Sequence, residues 1–336
     1  MIKYIGSKRK LTSKILELVI GLKSCVNSVI DLFSGTSIVG YALKKHGFQV
    51  FANDFNSYAY TLAKCYIETN KVETEGSAQQ LIKDFNRISP SAGYFTETFC
   101  EKARFFHPKN GAKIDAIRNK IAEKKLPKLL ESVLLVSLME AADRVDSTCG
   151  IQMAYLKSWS KRAHNDLLLR MPLLIDNNKQ SIAFKLDAKY AAKKIYADLA
   201  YLDPPYNQHS YLSNYHIWET LVKWDAPQSY GIAQKRIDCR NKKSIFNKKK
   251  GFLNAFKEII KNLNVKFAII SFNNEGFISK LEMENLLKCF GNVSTQVFDC
   301  KRYIGAQIGI YNRKGKVVGK VNSLYNKEYL YILEYS

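Results

Sequence analysis

From Ser7 to Leu22, apolar residues recur at Leu11, Ile15, Leu18 and Leu22, with Lys8, Arg9, Lys10 and Lys14 on other faces. That spacing predicts an amphipathic helix introduced by a turn at Gly6. The next stretch has a different pattern: Ser28-Val29-Ile30-Asp31-Leu32-Phe33 is an apolar run that ends at Ser34-Gly35-Thr36, after which Ile38, Val39, Ala42 and Leu43 resume a helical period. It reads as strand, turn and helix. Phe48 to Phe51 predicts a second short strand with Asp54 at its carboxyl end, and Tyr58 to Thr69 another helix.

Strands alternating with helices predict a mostly parallel α/β sheet covered on both faces. The alternation stops between about Lys71 and Gln180, where the pattern is mainly helical and polar-aromatic, with Leu126 to Val145 as its strongly apolar helix. This stretch reads as an insertion into the sheet domain, which leaves 1–70 and 181–336 as the parts of one domain and 71–180 as the inserted region. Strand character returns at Ile182 to Asp187, a helix follows over Ala188 to Tyr196, and Leu199-Ala200-Tyr201-Leu202 runs into Asp203. Val265 to Phe272 reads as a buried strand. Thr295 to Tyr303 and Tyr329 to Tyr335 alternate like strands, predicting an antiparallel hairpin that closes the sheet edge. Gln234 to Lys250, rich in Lys and Arg, reads as a mobile basic loop.

A chain of 336 residues, 46% of them hydrophobic, can bury a sizeable core, which excludes a disordered chain. Its formal charge of +22 is the footprint expected of a protein whose partner is a polyanion such as nucleic acid, although a Lys-rich genome bias or a membrane surface would give the same balance. Seven dispersed cysteines without a C-x-x-C pair read as reduced thiols, and the scattered histidines show no zinc-binding spacing, so no metal is expected. No signal pattern opens the sequence and no apolar run approaches the ~20 residues of a membrane span, so the expectation is a soluble, cytoplasmic protein with no membrane contact.

In an open parallel sheet, ligands bind beyond the carboxyl ends of the strands. Asp31 to Thr36 forms a small-residue turn there, and Asp54 stands at the tip of the next strand, where an acidic side chain can accept both hydroxyls of a ribose. The pair describes a nucleoside-binding half-site, although such a turn is as often a plain connection. Ser37 stands where a second glycine would complete a G-x-G motif, which disfavours a dinucleotide. Asp203-Pro204-Pro205-Tyr206 then follows an apolar strand that belongs at the sheet centre, and two prolines cannot continue a ladder. The Asp203 carboxylate and the Pro204 carbonyl offer two fixed acceptors. Two acceptors can bind both hydrogens of an exocyclic amine and draw its nitrogen toward a tetrahedral, nucleophilic shape, while Tyr206 offers a face for stacking a base taken out of a duplex. The bland alternative is a rigid exit from the strand.

These motifs, in this order, resemble the Dam-related group of adenine-specific DNA methyltransferases. The resemblance covers most of the chain apart from the insertion. It implies a Rossmann-like S-adenosylmethionine-dependent methyltransferase sheet, with an antiparallel hairpin at its edge and an inserted, mainly helical target-recognition region. Lys3-Tyr4-Ile5-Gly6-Ser7-Lys8 resembles the motif that holds the cofactor from outside the sheet, which assigns Tyr4, Gly6 and Lys8 to it. Asp31, Phe33, Ser34, Gly35 and Thr36 match the motif beneath the methionine moiety, Asp54 the ribose-binding acid, and Asp187 with Ala188 the position that meets the cofactor's adenine. Asp203, Pro204, Pro205 and Tyr206 match the catalytic tetrad. Asn207 to Tyr211, His216 to Thr220, Ile270 to Gly276 and Lys301-Arg302-Tyr303 resemble the type II restriction-modification members of the group.

The implied activity is site-specific N6 methylation of a flipped adenine in double-stranded DNA, protecting that DNA in a restriction-modification system. A cognate restriction endonuclease acting on the same site, without being bound, is compatible with it. Arg144, Lys157, Lys161 and Arg162 in the insertion are candidates for base or phosphate contacts, a phosphate contact or a solvated charge being the commoner reading of any one of them. Lys235, Arg236 and Arg240 belong to a basic run that would track a DNA strand, with a solvated loop as the equal alternative. An RNA adenine methyltransferase, a glutamine-side-chain methyltransferase and a catalytically silent DNA-binding protein share parts of this pattern; Asp at position 203, the N-terminal motif and the large insertion favour adenine in DNA.

Overall fold

Alternate residues of a strand point to opposite faces, and in the central strands of this chain both sets are apolar. Val29, Leu199, Tyr201 and Ile269 enter one hydrophobic cluster, whereas Ile30, Ala200, Leu202, Ala268 and Ile270 enter another. The two clusters lie on opposite sides of one sheet. This computed structural model describes residues 1–22, 24–301, 310–311, 317–319 and 325–336. Its seven-stranded sheet comprises β1 (Ser28–Asp31), β2 (Gln49–Asn53), β3 (Ile182–Phe184), β4 (Leu199–Leu202), β5 (Phe267–Asn273), β6 (Gly291–Lys301) and β7 (Tyr325–Tyr335), in spatial order β3-β2-β1-β4-β5-β7-β6.

Strands β3 to β5 along that order are parallel, so their carboxyl ends share one edge. β7 is antiparallel to both β5 and β6. The hairpin expected at the sheet edge is present as a pair, but its second strand lies inside, between β5 and β6. Because β7 runs backwards, Glu328 near its start lies opposite Asn273 at the end of β5. The expected strand residue Tyr303, with Arg302 beside it, lies outside the described residues.

One face carries α1 (Thr12–Gly21), α2 (Ile38–Lys45) and α3 (Ser57–Ala63), which continues as a π turn over Lys64–Glu68. α1 buries Leu11, Ile15 and Val19, so Val19 takes the place expected for Leu18. The stretch 71–180 supplies α4 (Lys71–Arg87), α5 (Pro108–Glu123) and α6 (Lys128–Arg144) to the same hydrophobic cluster. Val133, Leu134, Val136, Leu138 and Met139 of α6 are wholly buried, which is why that helix is apolar nearly all round. α8 (His216–Lys223) completes this face. The opposite face is covered by α7 (Ala188–Lys194), α9 (Lys249–Asn262) and α10 (Lys280–Lys288).

The basic stretch 234–250 is folded, contrary to the mobile loop expected. Lys235–Arg236 pairs with Ser229–Tyr230 as a short hairpin, and single 3-10 turns follow at Ile237–Arg240 and Ile245–Asn247. The reason is burial: Arg236, Cys239 and Phe246 turn into the protein and order the segment around them.

Within the insertion, Asp115 on α5 is buried and accepts from the backbone N–H groups of Gly93 (2.9 Å), Phe95 (3.0 Å) and Thr96 (2.8 Å) and from the Thr96 hydroxyl (2.6 Å). Four donors converge on one carboxylate at the start of the short helix after Gly93. Asp115→Ala is therefore expected to destabilise the fold by about 3 kcal/mol, since buried donors left without a partner cost roughly 1–3 kcal/mol each before relaxation. Urea denaturation followed by circular dichroism checks this, and an unchanged midpoint would contradict the role given to Asp115.

Candidate active site

The carboxyl ends of β1, β2 and β4 and the loop after β3 open into a cavity of about 540 Å³. Its lining includes Tyr4, Gly6, Lys8, Asp31, Phe33, Ser34, Gly35, Thr36, Asp54, Asp187, Ala188, Asp203 and Pro205. The candidate cofactor residues, widely separated in sequence, are thus brought to one place. Pro204 is buried behind Asp203, and Tyr206 stands beside the cavity with its ring edge-on to Phe272 at 5.4 Å.

The turn after β1 is built by backbone bonds across the sheet edge. Leu32 N–H donates to the Tyr201 carbonyl at 3.1 Å and Ser34 N–H to the Asn53 carbonyl at 2.9 Å. The Asn53 amide donates to the carbonyls of Leu32 (3.2 Å) and Leu186 (3.3 Å), tying the ends of β1 and β3 together across β2. Gly35, at φ 50°, donates its N–H to Asp54 Oδ2 at 3.0 Å, while Asp54 Oδ1 accepts from the Asn56 N–H at 2.9 Å. Asp54 is therefore fixed at the cavity rim, its carboxyl held above the ordinary range by burial against the lowering effect of these bonds. Phe55, next to it, lines the cavity with 62% of its surface exposed. Asp187 caps α7 by accepting the Lys189 N–H at 2.9 Å.

Asp31 is buried beneath the turn, and its Oδ2 accepts the Gly40 N–H at 3.2 Å. Burial pushes its carboxyl up to about 7, with the Asp203 charge adding to the shift. Its Oδ1 and the Ser34 hydroxyl have no hydrogen-bond partner among the described residues. Ser37, where a second glycine would have completed the motif, adopts φ 61°, ψ 22° and precedes α2 in that left-handed conformation without a side-chain cap bond.

At the end of β4, Asp203 Oδ1 lies 3.2 Å from the Lys8 ammonium, which is also 3.2 Å from Glu328 Oε2. Lys8 is 5% exposed, Glu328 9% and Asp203 20%, so one ammonium serves two carboxylates out of bulk water. Burial raises the Asp203 carboxyl, Lys8 opposes the rise and Glu328 adds to it, leaving it at about 6. For Lys8, burial favours loss of the proton, but Asp203, Tyr206 and Glu328 outweigh it and hold the ammonium above its ordinary range. Its Nζ also lies 5.7 Å from the centre of the Tyr206 ring.

The segment that delivers Lys8 is held by aromatic stacking. The Tyr4 ring lies between Tyr211 (5.2 Å, 8°) and Tyr215 (4.5 Å, 11°), and its hydroxyl is 3.1 Å from that of Tyr58. Ile5 N–H donates to the Tyr215 hydroxyl at 2.6 Å. Gly6 has φ 73°, which favours glycine, and a Cβ there would come within 2.9 Å of the Tyr211 hydroxyl and oblige that side chain to shift. The loop after the tetrad is closed from the other side, where the Asn247 amide donates to the carbonyls of Asn207 (2.9 Å) and His209 (3.0 Å).

Residues 4–275 match the family model described as D12 class N6 adenine-specific DNA methyltransferase. The chain belongs to that family. It is 35% identical over 303 residues to Modification methylase StsI of Streptococcus sanguinis, covering 86% of this chain and 46% of that protein. It is 33% identical over 307 residues to Type II methyltransferase M.FokI of Planomicrobium okeanokoites, covering 86% and 47%. This chain thus spans about half the length of those two relatives. Type II methyltransferase M.NlaIII of Neisseria lactamica is 30% identical over 342 residues, with 98% of both chains covered. The resemblance stated above as Dam-related narrows to the D12 class. Its mostly parallel sheet is the one that the strand pattern predicted, and the Rossmann-like fold is the one that the resemblance implied.

In this D12-class chain the candidate DNA contacts differ in how far protein partners already engage them. Arg236, 3% exposed, pairs with Asp225 at 2.7 Å and Asp238 at 3.1 Å, so it orders the basic segment and is unavailable to a phosphate. Arg162 is likewise engaged, by Asp146 at 2.7 Å. Arg144 donates to the Leu168 carbonyl at 2.7 Å, and Lys157 is exposed. Lys235 and Arg240 border a second cleft of about 370 Å³ beside the tetrad loop, with Gln208, His209 and Lys243, and Arg240 lies 4.2 Å from the Tyr230 ring centre. Glu328, Phe55, Tyr211, Tyr215 and Asn247 were not among the candidate site residues, although Tyr211 ends one of the stretches that carry the resemblance. Phe55 had a signal in its position after Asp54, whereas Glu328 had none, being one charge at the head of an alternating strand. Among the described residues no group of His, Cys, Asp or Glu converges as metal ligands do, and no helix is long and apolar enough to cross a membrane.

A left-handed backbone costs a non-glycine residue about 1–2 kcal/mol, and Ser37 also buries a hydroxyl with no partner among the described residues. Ser37→Gly is expected to raise stability by about 1 kcal/mol, the gain being reduced by the greater freedom of glycine in the unfolded chain. An unchanged or lower denaturation midpoint would count against strain at this turn.

Proposed function

We propose that this chain transfers a methyl group from S-adenosylmethionine to the N6 amino group of an adenine flipped out of double-stranded DNA, as the modification activity of a restriction-modification system. The observation that carries the reading is Asp203, half-buried at the end of the central strand β4 and facing the same cavity as Asp31 and Asp54. The fit of that cavity to the cofactor rests on its chemistry: an acid held at the tip of β2, an exposed aromatic ring beside it, and buried polar atoms of Asp31 and Ser34 without partners. Asp54 would hold the ribose hydroxyls, Phe55 and Asp187 the adenine, and Asp31 with the turn 33–36 the methionine moiety. Tyr4, Gly6 and Lys8 close the site from outside.

When bound, S-adenosylmethionine supplies a methyl group bonded to cationic sulfur. The remaining demands fall on the protein. Asp203 and the Pro204 carbonyl bind the two N–H groups of the target amine, which leaves its lone pair free to form the new bond. The Asp203 carboxylate, with its proton affinity raised by burial, is suited to receive the proton that the methylated amine gives up. Tyr206, braced by Phe272 and Lys8, supplies the stacking face. The region 71–180 acts as the target-recognition region, Lys235 and Arg240 contact DNA phosphates beside the tetrad loop, and Lys157 and Arg144 are further DNA contacts on the insertion. A cognate endonuclease would cut the same unmodified site without binding this chain, and the protein would work in the cytoplasm without a metal.

Asp203→Ala is expected to abolish transfer of a labelled methyl group to DNA while S-adenosylmethionine binding, followed by calorimetry, is largely kept; an active variant would overturn the mechanism. In the unaltered protein, kcat/KM should fall as pH drops through about 6, where Asp203 takes a proton and loses acceptor capacity. DNA binding should weaken steeply as salt rises, because each neutralised phosphate releases counterions. A flat salt response would argue against a multi-phosphate surface.

A further inference from the structure

A lone Lys8–Asp203 pair would already be neutral, so Glu328 adds a negative charge that pairing does not require. Its side chain is 9% exposed, at the head of a strand that continues through buried Leu330, Tyr331 and Leu333. Burying an extra carboxylate is unfavourable unless other interactions offset it. Its contacts are specific: Oε2 is 3.2 Å from the Lys8 ammonium, and Oε1 is 3.5 Å from the Asn273 amide at the end of β5. The ammonium is therefore shared between two carboxylates, and it reaches Asp203 through Oδ1.

We propose that Glu328 is a positioning residue for methyl transfer: by taking part of the Lys8 ammonium it leaves an Asp203 oxygen open to the target amine and gives the three-charge cluster one negative charge in excess. The proposal rests on Asp203 being the acceptor of the amine. Its electrostatic logic follows from the reaction, in which positive charge passes from sulfur to nitrogen next to this cluster. A fixed negative excess stabilises that charge without reorganisation.

Charged and titratable groups face Asp203 from several elements. Lys8 comes from the N-terminal segment, Glu328 from β7, Asp31 from β1 and Tyr201 from β4. Tyr206 and Tyr211 belong to the tetrad loop, Glu275 acts on Tyr206 from beyond β5, and Cys300 on β6 senses both Lys8 and Glu328. Lys8 lowers the proton affinity of Asp203 and Glu328 raises it, so their removal has opposite signs.

The test is the pH profile of methyl transfer to DNA by the full chain and by Glu328→Gln, Lys8→Met, the double variant and Asp203→Ala. Glu328→Gln should reduce kcat about tenfold, with the KM for S-adenosylmethionine little changed, and should move the acid limb of kcat/KM down by about one pH unit. Lys8→Met should move that limb up by a similar amount, since two carboxylates then face each other without a cation. Adding Glu328→Gln to Lys8→Met should bring the limb back down, whereas a packing role would make the double variant worse than either single one. Should Glu328→Gln fail to fold, Glu328→Asp takes its place, with a lowered kcat and an unshifted acid limb expected. Acid limbs unmoved in Glu328→Gln and Lys8→Met, a Glu328→Asp variant with unchanged kcat, or a double variant that behaves like Lys8→Met, would overturn this inference if Asp203→Ala is inactive. An active Asp203→Ala would instead overturn the catalytic reading beneath it.

Discussion

An ammonium removed from water must be met by anions, and the architecture around Lys8 is arranged to supply them. Asp203 comes from the middle of the chain and Glu328 from the β7 strand, so three distant parts of the sequence meet at one nitrogen atom. The N-terminal segment that delivers Lys8 is gripped on two sides. Toward the tetrad loop it is held by the Tyr211, Tyr4 and Tyr215 stack. Toward the insertion, the Met1 ammonium pairs with Glu140 of α6, and Lys3 reaches Asp146 at 2.8 Å and the Asp143 carbonyl at 2.6 Å. The stretch 71–180 thus supports the N-terminal segment through α6 as well as adding bulk to the hydrophobic cluster.

The site also concentrates local conflict. Ser37 is held in a left-handed conformation, Asp31 is buried with one oxygen unpartnered among the described residues, and Asp203 carries a raised proton affinity. Each is unfavourable for folding alone and each sits on the cavity wall or directly beneath it. Such clustering is what a site built for a charged ligand requires, because groups satisfied within the protein would have nothing left to offer.

Much of this could be read in the sequence for definite physical reasons. Parallel strands buried on both faces need continuous apolar runs, which made Val29-Ile30 and Leu199 to Leu202 visible, and the acidic residues that interrupt such runs mark the sheet edge. The gathering of Asp31, Asp54, Asp187 and Asp203 at the strand ends was legible on that account, and the two prolines after Asp203 excluded a continuing strand. Glu328 was not legible, because its importance comes from β7 running antiparallel, and pairing order between strands leaves no local trace. Arg236 was misread for a related reason. A basic residue among other basic residues looks solvated until its partners Asp225 and Asp238 are seen to fold around it. The stacking of Tyr4 on Tyr211 and Tyr215 was likewise invisible, since the rings stand more than 200 positions apart in numbering and only the folded chain brings them together.

The placement of β7 has a consequence for how the protein is made. Residues 291–301 emerge from the ribosome before 325–335, yet the later strand must lie between the earlier one and β5. Docking of β6 directly against β5 would occupy the place of β7, so the native order requires the later strand to reach β5 itself. Because Glu328 travels on that late strand, the cluster around Lys8 and Asp203 gains its final charge only when the sheet closes. The complete charge pattern around Lys8 therefore depends on β7 taking its place between its two neighbours.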